Sequence, residues 1–164
     1  MKFLACLLML LACLSVPAVA APLCYAPPEL EAEQLLRLHS ELMVITVTCR
    51  YGSTGQELVP SYTRFTQSNL KDIQNAEQTL IGYYKKNYKG DGVSRLDQLR
   101  TRLGNEFGQK IADMSAPTFC AQYRDRVTLL SGYQPAQVSA EATQLSVSAH
   151  NYAPVCGKKK GKKS

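Results

Sequence analysis

Apolar residues recur every three or four positions along most of the chain, which is the period of a helix with one buried face. The first stripe has five members: Leu35, Leu38, Leu42, Ile45 and Cys49. Pro27 and Pro28 precede an acidic first turn, which suits the start of a helix, and Gly52 suits its end. Between Leu42 and Val47 nearly every position is apolar, so we expect this helix to lie at the centre of the fold.

Similar stripes predict further helices. A second helix is predicted from about Pro60 to Tyr88, and the glycines of YKGDGVS end it. A third begins at Ser94, where Asp97 completes a capping box. A fourth runs from Ser115 to Gly132, and a weaker fifth spans Ala136 to Ala149.

The arrangement of these helices follows from the short connections between them. No segment shows the strict alternation of apolar and polar residues that predicts a strand. Short connections favour antiparallel neighbours. The sequence therefore predicts an all-α fold, an antiparallel four-helix bundle with a possible short fifth helix.

The start of the chain has the pattern of a secretory leader. MKFLACLLMLLACLSVPAVAA combines Lys2, an apolar stretch and the small residues Ala18 and Ala20. We expect residues 1–20 to be a signal peptide that is cleaved after Ala20, so that the protein becomes periplasmic or secreted. Lipid anchoring at Cys13 and retention of the leader as an anchoring helix are the alternatives.

Four cysteines remain after the leader, and an even number in an exported chain predicts two disulfide bonds. Cys24 and Cys49 cannot pair, because roughly 20 helical residues with a rise of about 1.5 Å each hold them about 30 Å apart. In an antiparallel bundle we expect Cys49–Cys120 at one end and Cys24–Cys156 at the other, stapling a domain of residues 21–156. No metal site is expected, because no two cysteines are close in sequence and neither histidine neighbours one.

A basic tail, residues 157–164, ends the chain. Lys and Arg number 19 against 13 Asp and Glu, and five of the lysines lie in this tail: Lys158, Lys159, Lys160, Lys162 and Lys163. Without the leader and the tail lysines, the body has 13 basic and 13 acidic residues and is neutral. We expect a flexible tail that contacts anionic membrane surfaces or polyanions weakly. Alternatively, it only keeps the domain soluble. Nucleic acid is not expected as a partner.

Tyrosines and lysines alternate at the end of the second predicted helix, in YYKKNYK. Exposed rings and charges in this arrangement would suit a sugar, a nucleotide or a partner protein. This candidate surface consists of Tyr83, Tyr84, Lys85, Lys86, Tyr88 and Lys89. The alternative is structural, with Tyr84 and Tyr88 packed inside while the lysines reach solvent.

Other candidate chemistry is sparse. No nucleophile, phosphate-binding or metalloprotease motif is present, so no catalytic residue is predicted. His39 and Met43 lie one turn apart and face the same side, so they cannot ligate opposite faces of a haem, and no cofactor is expected.

A set of charges on the first helix has the spacing of ion pairs. Glu33, Arg37 and Glu41 follow one another at i, i+4 steps, which predicts a solvent-facing ladder.

Three segments resemble a group of small exported helical proteins of alphaproteobacteria and their relatives. The segments are LRLHSELMVITVTC, YYKKNYKGDGVSRLDQLRTRLGNE and FCAQY, within residues 32–123, and they include Cys49, Cys120, Leu96 and Asp97. The resemblance implies an all-helical fold and a periplasmic location, and it implies no activity. The lysine tail does not belong to the group's pattern.

The leading hypothesis is a periplasmic, non-enzymatic interaction or structural module with an unidentified protein partner. The alternative is an enzyme or small-ligand-binding protein with a site built from Tyr83, Tyr84, Lys85 and Glu106. An open pocket in which tyrosine and carboxylate groups converge would favour the alternative. A filled core with a flat apolar patch would favour the module.

Overall fold

The computed structural model describes residues 23–51, 55–147 and 151–157. They form six helices: α1 Pro27–Cys49, α2 Leu58–Ser68, α3 Leu70–Asn87, α4 Gly92–Met114, α5 Ala116–Leu130 and α6 Pro135–Val147. Within these ranges no strand is present, and Tyr25 and Val155 form an isolated parallel bridge. The all-α prediction is confirmed. The predicted leader, residues 1–20, and the tail lysines lie outside the described residues.

Two helix boundaries differ from the sequence prediction. The predicted second helix is divided into α2 and α3 at Asn69, whose φ of −111° and ψ of 14° leave the helical range. The Asn69 amide nitrogen donates to the carbonyl of Phe65 at 2.8 Å, and this side-chain bond competes with regular helix bonding. The third predicted helix begins before Ser94, because the Asp91 carboxylate caps it by accepting from the backbone N–H groups of Val93 and Ser94.

The first helix is central, because α1 packs against each of the other five helices. Its N-terminal half belongs to one apolar cluster, which it shares with α3 and α4, and Leu36 lies in it. Its C-terminal half belongs to a second cluster with α2, α5 and α6, in which Leu42 and Ile45 are fully buried. The apolar residues Met43 and Val47 nevertheless face solvent, with 41% and 54% of their surface exposed.

Both predicted disulfides are confirmed. The Cα atoms are 5.1 Å apart in Cys24–Cys156 and 5.5 Å apart in Cys49–Cys120. An ion pair joins Glu41 of α1 to Arg126 of α5. Together with Cys49–Cys120, this pair shows that α1 and α5 run in opposite directions. The first disulfide holds residues 151–157 beside the start of α1, where the Tyr25 N–H donates to the Pro154 carbonyl at 2.8 Å.

The fifth helix, which the sequence predicts only weakly, is present as α6. It packs against α1, and Val138 and Ala142 provide its buried side. Because α3 and α6 both pack against α1 but not closely against each other, a groove remains between them and is a candidate site.

Candidate functional site

A groove of about 380 Å³ opens between α1, α3 and α6. Three buried alanines line it, one from each helix: Ala32, Ala76 and Ala142. Because an alanine side chain ends at Cβ, these positions leave space that larger side chains would fill. One buried alanine on each of the three helices therefore helps to leave the α1–α3–α6 groove open.

The rim of the α1–α3–α6 groove is polar and acidic. Glu31 and Asp72 supply exposed carboxylates, and Gln34 and Asn75 supply amides. None of the described lining residues is a lysine or an arginine. The first turn of α1 borders the groove through Pro28, and Glu29 in the same turn places a carboxylate at the positive end of the helix dipole. The groove is therefore suited to a ligand that combines an apolar part with positive charge or hydrogen-bond donors.

A second cavity of about 400 Å³, which we call the Tyr83 section, continues the groove towards the start of α1. Thr79 lines both cavities. Cys24, Glu29, Tyr83 and Lys86 border the Tyr83 section. Because the two cavities meet, among the described residues, only at Thr79, a ligand that occupied both would have to be extended.

Two polar atoms at the Tyr83 section are buried without a hydrogen-bond partner in the described part of the chain. They are the hydroxyl of Tyr83 and Oε2 of Glu29. Burial raises the pKa of Tyr83, and the nearby Tyr88 and Glu29 raise it further. The hydroxyl therefore stays protonated and can donate to a ligand, while the Glu29 oxygen can accept from one.

The six residues of the predicted tyrosine and lysine surface differ in burial in the structure, so they do not form one exposed surface. Tyr83 and Tyr84 are buried and Tyr88 is partly buried. The Tyr84 hydroxyl lies 3.0 Å from that of Tyr25, and the guanidinium of Arg95 lies 5.1 Å from the centre of the Tyr88 ring. The three lysines of the predicted surface, at positions 85, 86 and 89, are exposed. This packing agrees with the alternative in which Tyr84 and Tyr88 pack inside while the lysines reach solvent. Of the six residues of the predicted surface, Tyr83 and Lys86 border the Tyr83 section.

The alternative site built around Glu106 is not assembled in one cavity. Glu106 binds Arg37 and accepts a hydrogen bond from the Tyr152 hydroxyl at 2.7 Å. Tyr83 instead lies at the Tyr83 section, beside Glu29. Glu106 therefore belongs to an internal network, and the carboxylate that approaches Tyr83 is one that the sequence analysis did not select.

That internal network corrects the predicted solvent-facing ladder. Glu33, Arg37 and Glu41 are 0%, 1% and 2% exposed. Arg37 donates to Glu33 at 2.9 Å and also pairs with Glu106, and the backbone N–H of Tyr152 donates to both Glu33 oxygens. The spacing correctly placed these charges on one side of α1, but other elements cover that side. Burial raises the pKa of Glu33, although Arg37 and the Tyr152 N–H favour its charged form.

Glu41 forms a second buried group. Arg126 of α5 donates to Glu41 at 3.0 Å and to Glu141 of α6 at 2.8 Å. Burial raises the pKa of Glu41, and the charge of Arg126 opposes that shift. The arginine thus ties α1, α5 and α6 together on the side away from α3.

His39 lies between α1 and α2. Its Nε2 is 2.8 Å from the Tyr62 hydroxyl, and the two rings are stacked with centres 5.5 Å apart. Burial lowers the pKa of His39 to about 4, with a smaller contribution from Arg100. The imidazole is therefore neutral near pH 7 and acts as a hydrogen-bonding element of the core.

Neither metal nor membrane chemistry is indicated in the described ranges. They contain no group of three His, Cys, Asp or Glu side chains that could hold a metal ion. No described helix combines the length and apolar character needed to cross a bilayer. The expectation that the protein uses no cofactor stays a prediction.

Comparison of the chain with protein-family models, with curated proteins and with solved structures finds no match. The resemblance to exported helical proteins of alphaproteobacteria therefore stays a prediction, and the functional argument depends on the geometry of the groove.

Proposed function

We propose that the protein is an exported, non-enzymatic binding module, an antiparallel helical bundle stapled by two disulfides, whose ligand lies in the α1–α3–α6 groove. The proposal rests on the volume and the lining of the groove. Its volume of about 380 Å³ falls in the range of ligand pockets, roughly 300–1,000 Å³. It has buried apolar side chains below and carboxylates and amides above, the combination that provides affinity and orientation.

The state of the buried charges supports binding rather than catalysis. The buried carboxylates of Glu33 and Glu41 are engaged by Arg37 and Arg126, and Glu106, whose side chain is 36% exposed, also pairs with Arg37. A general acid or base needs a proton path to a substrate, and these groups contact arginines inside the fold instead. The carboxylates that face the groove, Glu31 and Asp72, are exposed and suit binding.

The disulfides support export. Cystine bridges persist in oxidising compartments, and two of them hold opposite ends of this domain. Together with the predicted leader, they favour the periplasm or the extracellular space as the place where the groove meets its ligand.

The test is a binding screen with a groove-filling variant. Ser139 lines the groove on the exposed side of α6, so Ser139→Trp would occupy it without disturbing the core. Ala140→Trp is the matched control, since Ala140 is exposed on the same helix and does not line the groove. The readout is the change in amide chemical shifts when a fragment library, short peptides, polyamines and oligosaccharides are added.

We expect at least one probe to shift the amides of α1, α3 and α6 that line the groove. Ser139→Trp should weaken that binding by about tenfold or more, equivalent to about 1.4 kcal/mol, and Ala140→Trp should leave it unchanged. If no probe shifts groove amides, or if binding survives Ser139→Trp, the proposal is wrong.

A further inference from the structure

We infer that the basic tail of the chain, Lys158–Ser164, docks into the α1–α3–α6 groove and competes there with cationic ligands. The inference rests on the proposed function, because it names the chemical class of ligand that the groove takes, a lysine-containing chain. It also assigns the first occupant of the groove, which is a segment of the same chain.

The charge distribution is the first argument. Three carboxylates border the groove and the Tyr83 section, those of Glu29, Glu31 and Asp72, against the single ammonium of Lys86. None of the three carboxylates takes part in an ion pair between described residues. The body as a whole, residues 21–157, is neutral with 13 basic and 13 acidic residues, whereas the tail has five lysines in seven residues. The groove is thus a local negative region close to the chain's most basic segment.

The position where the tail begins is the second argument. Cys156 is bonded to Cys24, and Cys24 borders the Tyr83 section. The bridge between Tyr25 and Val155 is parallel, so the segment that ends at Gly157 runs in the same direction as the residues that lead into α1. The first tail lysine, Lys158, therefore comes two residues after Cys156, which is bonded to Cys24 at the Tyr83 section.

The reach of the tail is sufficient. Seven residues span up to about 23 Å when extended, at about 3.3 Å each. Glu31 lies one helical turn beyond Pro27, a rise of only about 6 Å. A short tether also gives the tail an effective concentration in the millimolar range, which makes weak contacts effective.

The groove also matches the shape of a lysine side chain. The methylene stem is apolar and can lie on Ala32, Ala76 and Ala142, while the ammonium has three donors for surface carboxylates. At the entrance, the Glu29 oxygen that has no described partner provides an acceptor for the first lysines. Docking should weaken as salt rises, because exposed charges are screened beyond about 10 Å at 0.1 M salt.

Carbodiimide cross-linking of the full chain tests the contact directly, because this reagent joins an ammonium and a touching carboxylate as an amide. We expect tail lysines to cross-link to Glu29, Glu31 or Asp72. The double variant Glu31→Gln/Asp72→Asn should lower the yield by about fivefold, since contact between exposed charges is lost with the carboxylates. Glu57→Gln/Asp97→Asn is the charge-matched control, because both residues are exposed and neither lines the groove.

Competition provides the second readout. A free peptide with the tail sequence KKKGKKS is titrated against the full chain and against a chain that ends at Gly157. We expect the shortened chain to bind the peptide about tenfold more tightly at low salt, because the tethered competitor is gone. A chain with all five tail lysines changed to glutamine should behave like the shortened chain.

The outcomes separate this inference from the proposed function. Equal peptide affinity for both chains, or cross-links spread evenly over surface carboxylates, would overturn docking of the tail and leave the groove as a binding site. Binding of the tail to phosphatidylglycerol vesicles without cross-links to the groove would overturn it in favour of the anionic-surface role. A groove that binds only uncharged probes would also overturn it.

Discussion

Arg37 joins parts of the chain that are distant in sequence. Its guanidinium binds Glu33 one turn earlier on α1 and Glu106 on α4. The same two carboxylates accept hydrogen bonds from Tyr152, in the segment held by the Cys24–Cys156 disulfide. A planar, permanently charged fork suits two carboxylates better than an ammonium does. Arg37 thus links α1, α4 and the segment that contains Tyr152.

Arg37→Met should lower the free energy of unfolding by about 3–5 kcal/mol, because it leaves a buried carboxylate without its counter-charge. Arg124→Met is the control: Arg124 pairs with Asp125, which is 91% exposed, and such surface pairs contribute about 0–1 kcal/mol. Urea denaturation at pH 7 measures both. A loss in Arg37→Met no larger than in Arg124→Met would contradict the internal network.

His39 should make stability depend on pH. Its pKa is about 4 in the folded protein and about 6.5 in the unfolded chain, so between these values the unfolded chain binds more protons. The free energy of unfolding should therefore fall as pH decreases from about 6.5 to 4, by up to about 3 kcal/mol from this residue.

His39→Gln should remove this contribution. The raised pKa values of Glu33 and Glu41 act in the opposite direction, but they are present in both proteins and cancel in the difference. The measurement is urea denaturation of both proteins at several pH values between 4 and 7. An identical slope for the two proteins would show that folding does not change the pKa of His39.

The helices α3 and α4 approach each other closely at Gly92. A Cβ atom on Gly92 would lie 2.6 Å from the carbonyl oxygen of Ile81 and 2.8 Å from Cγ of Lys85. Only glycine allows the two helices to approach so closely at this turn. The glycine also follows the Asp91 cap, so the start of α4 and its packing on α3 depend on adjacent residues.

Gly92→Ala should lower stability by about 1–3 kcal/mol, because the backbone carbonyl of Ile81 must move to accommodate the methyl group. Gly104→Ala, in the interior of the same helix, meets no atom within 4 Å and should raise stability by up to about 1 kcal/mol through helix propensity. Thermal unfolding of both variants measures the contrast. Equal effects would show that the α3–α4 contact is looser than described.

At the scale of the whole molecule, α1 is the central helix, and one disulfide lies near each of its ends. Cys49–Cys120 joins the end of α1 to α5, and Cys24–Cys156 joins the segment before α1 to the end of the described chain. The bonds close sequence separations of 71 and 132 residues. Long closed loops restrict the unfolded chain strongly, so both bonds should contribute to stability.

Cys24→Ser/Cys156→Ser should lower the free energy of unfolding by about 2–5 kcal/mol and release the segment that carries Tyr152. Hydrogen exchange should accelerate at the Tyr25 amide, which donates to Pro154. Cys49→Ser/Cys120→Ser should lower stability by a similar amount while leaving that amide protected. Equal protection of Tyr25 in both variants would contradict the role of the first disulfide.

Much of this architecture could be predicted from local pattern. The apolar period identified helices, and helix length alone excluded Cys24–Cys49. The division at Asn69 could not be predicted from the apolar stripe, because the stripe continues across it and a single side-chain hydrogen bond decides the break. The Asp91 cap was not predicted, because Ser94 and Asp97 have the spacing of a capping box that would begin the helix three residues later.

Most residues of the candidate site could not be predicted from the sequence. The YYKKNYK segment is noticeable because its rings and charges are clustered, but most of its rings pack inside. The groove residues Ala32, Ala76 and Ala142 carry no chemical signal by themselves. Their small size matters only where three helices bring them together, and the carboxylates above them resemble any other exposed charges in a sequence.

The sequence by itself determined that the fold is helical, that Cys24 does not pair with Cys49 and that a neutral body precedes a basic tail, because periodicity, helix rise and charge are properties of short stretches of chain. Tertiary structure alone decided that Glu33, Arg37 and Glu41 are buried and that an acidic groove opens between α1, α3 and α6. Periodicity tells which residues share a face of a helix. Whether another element covers that face depends on contacts between residues far apart in the chain.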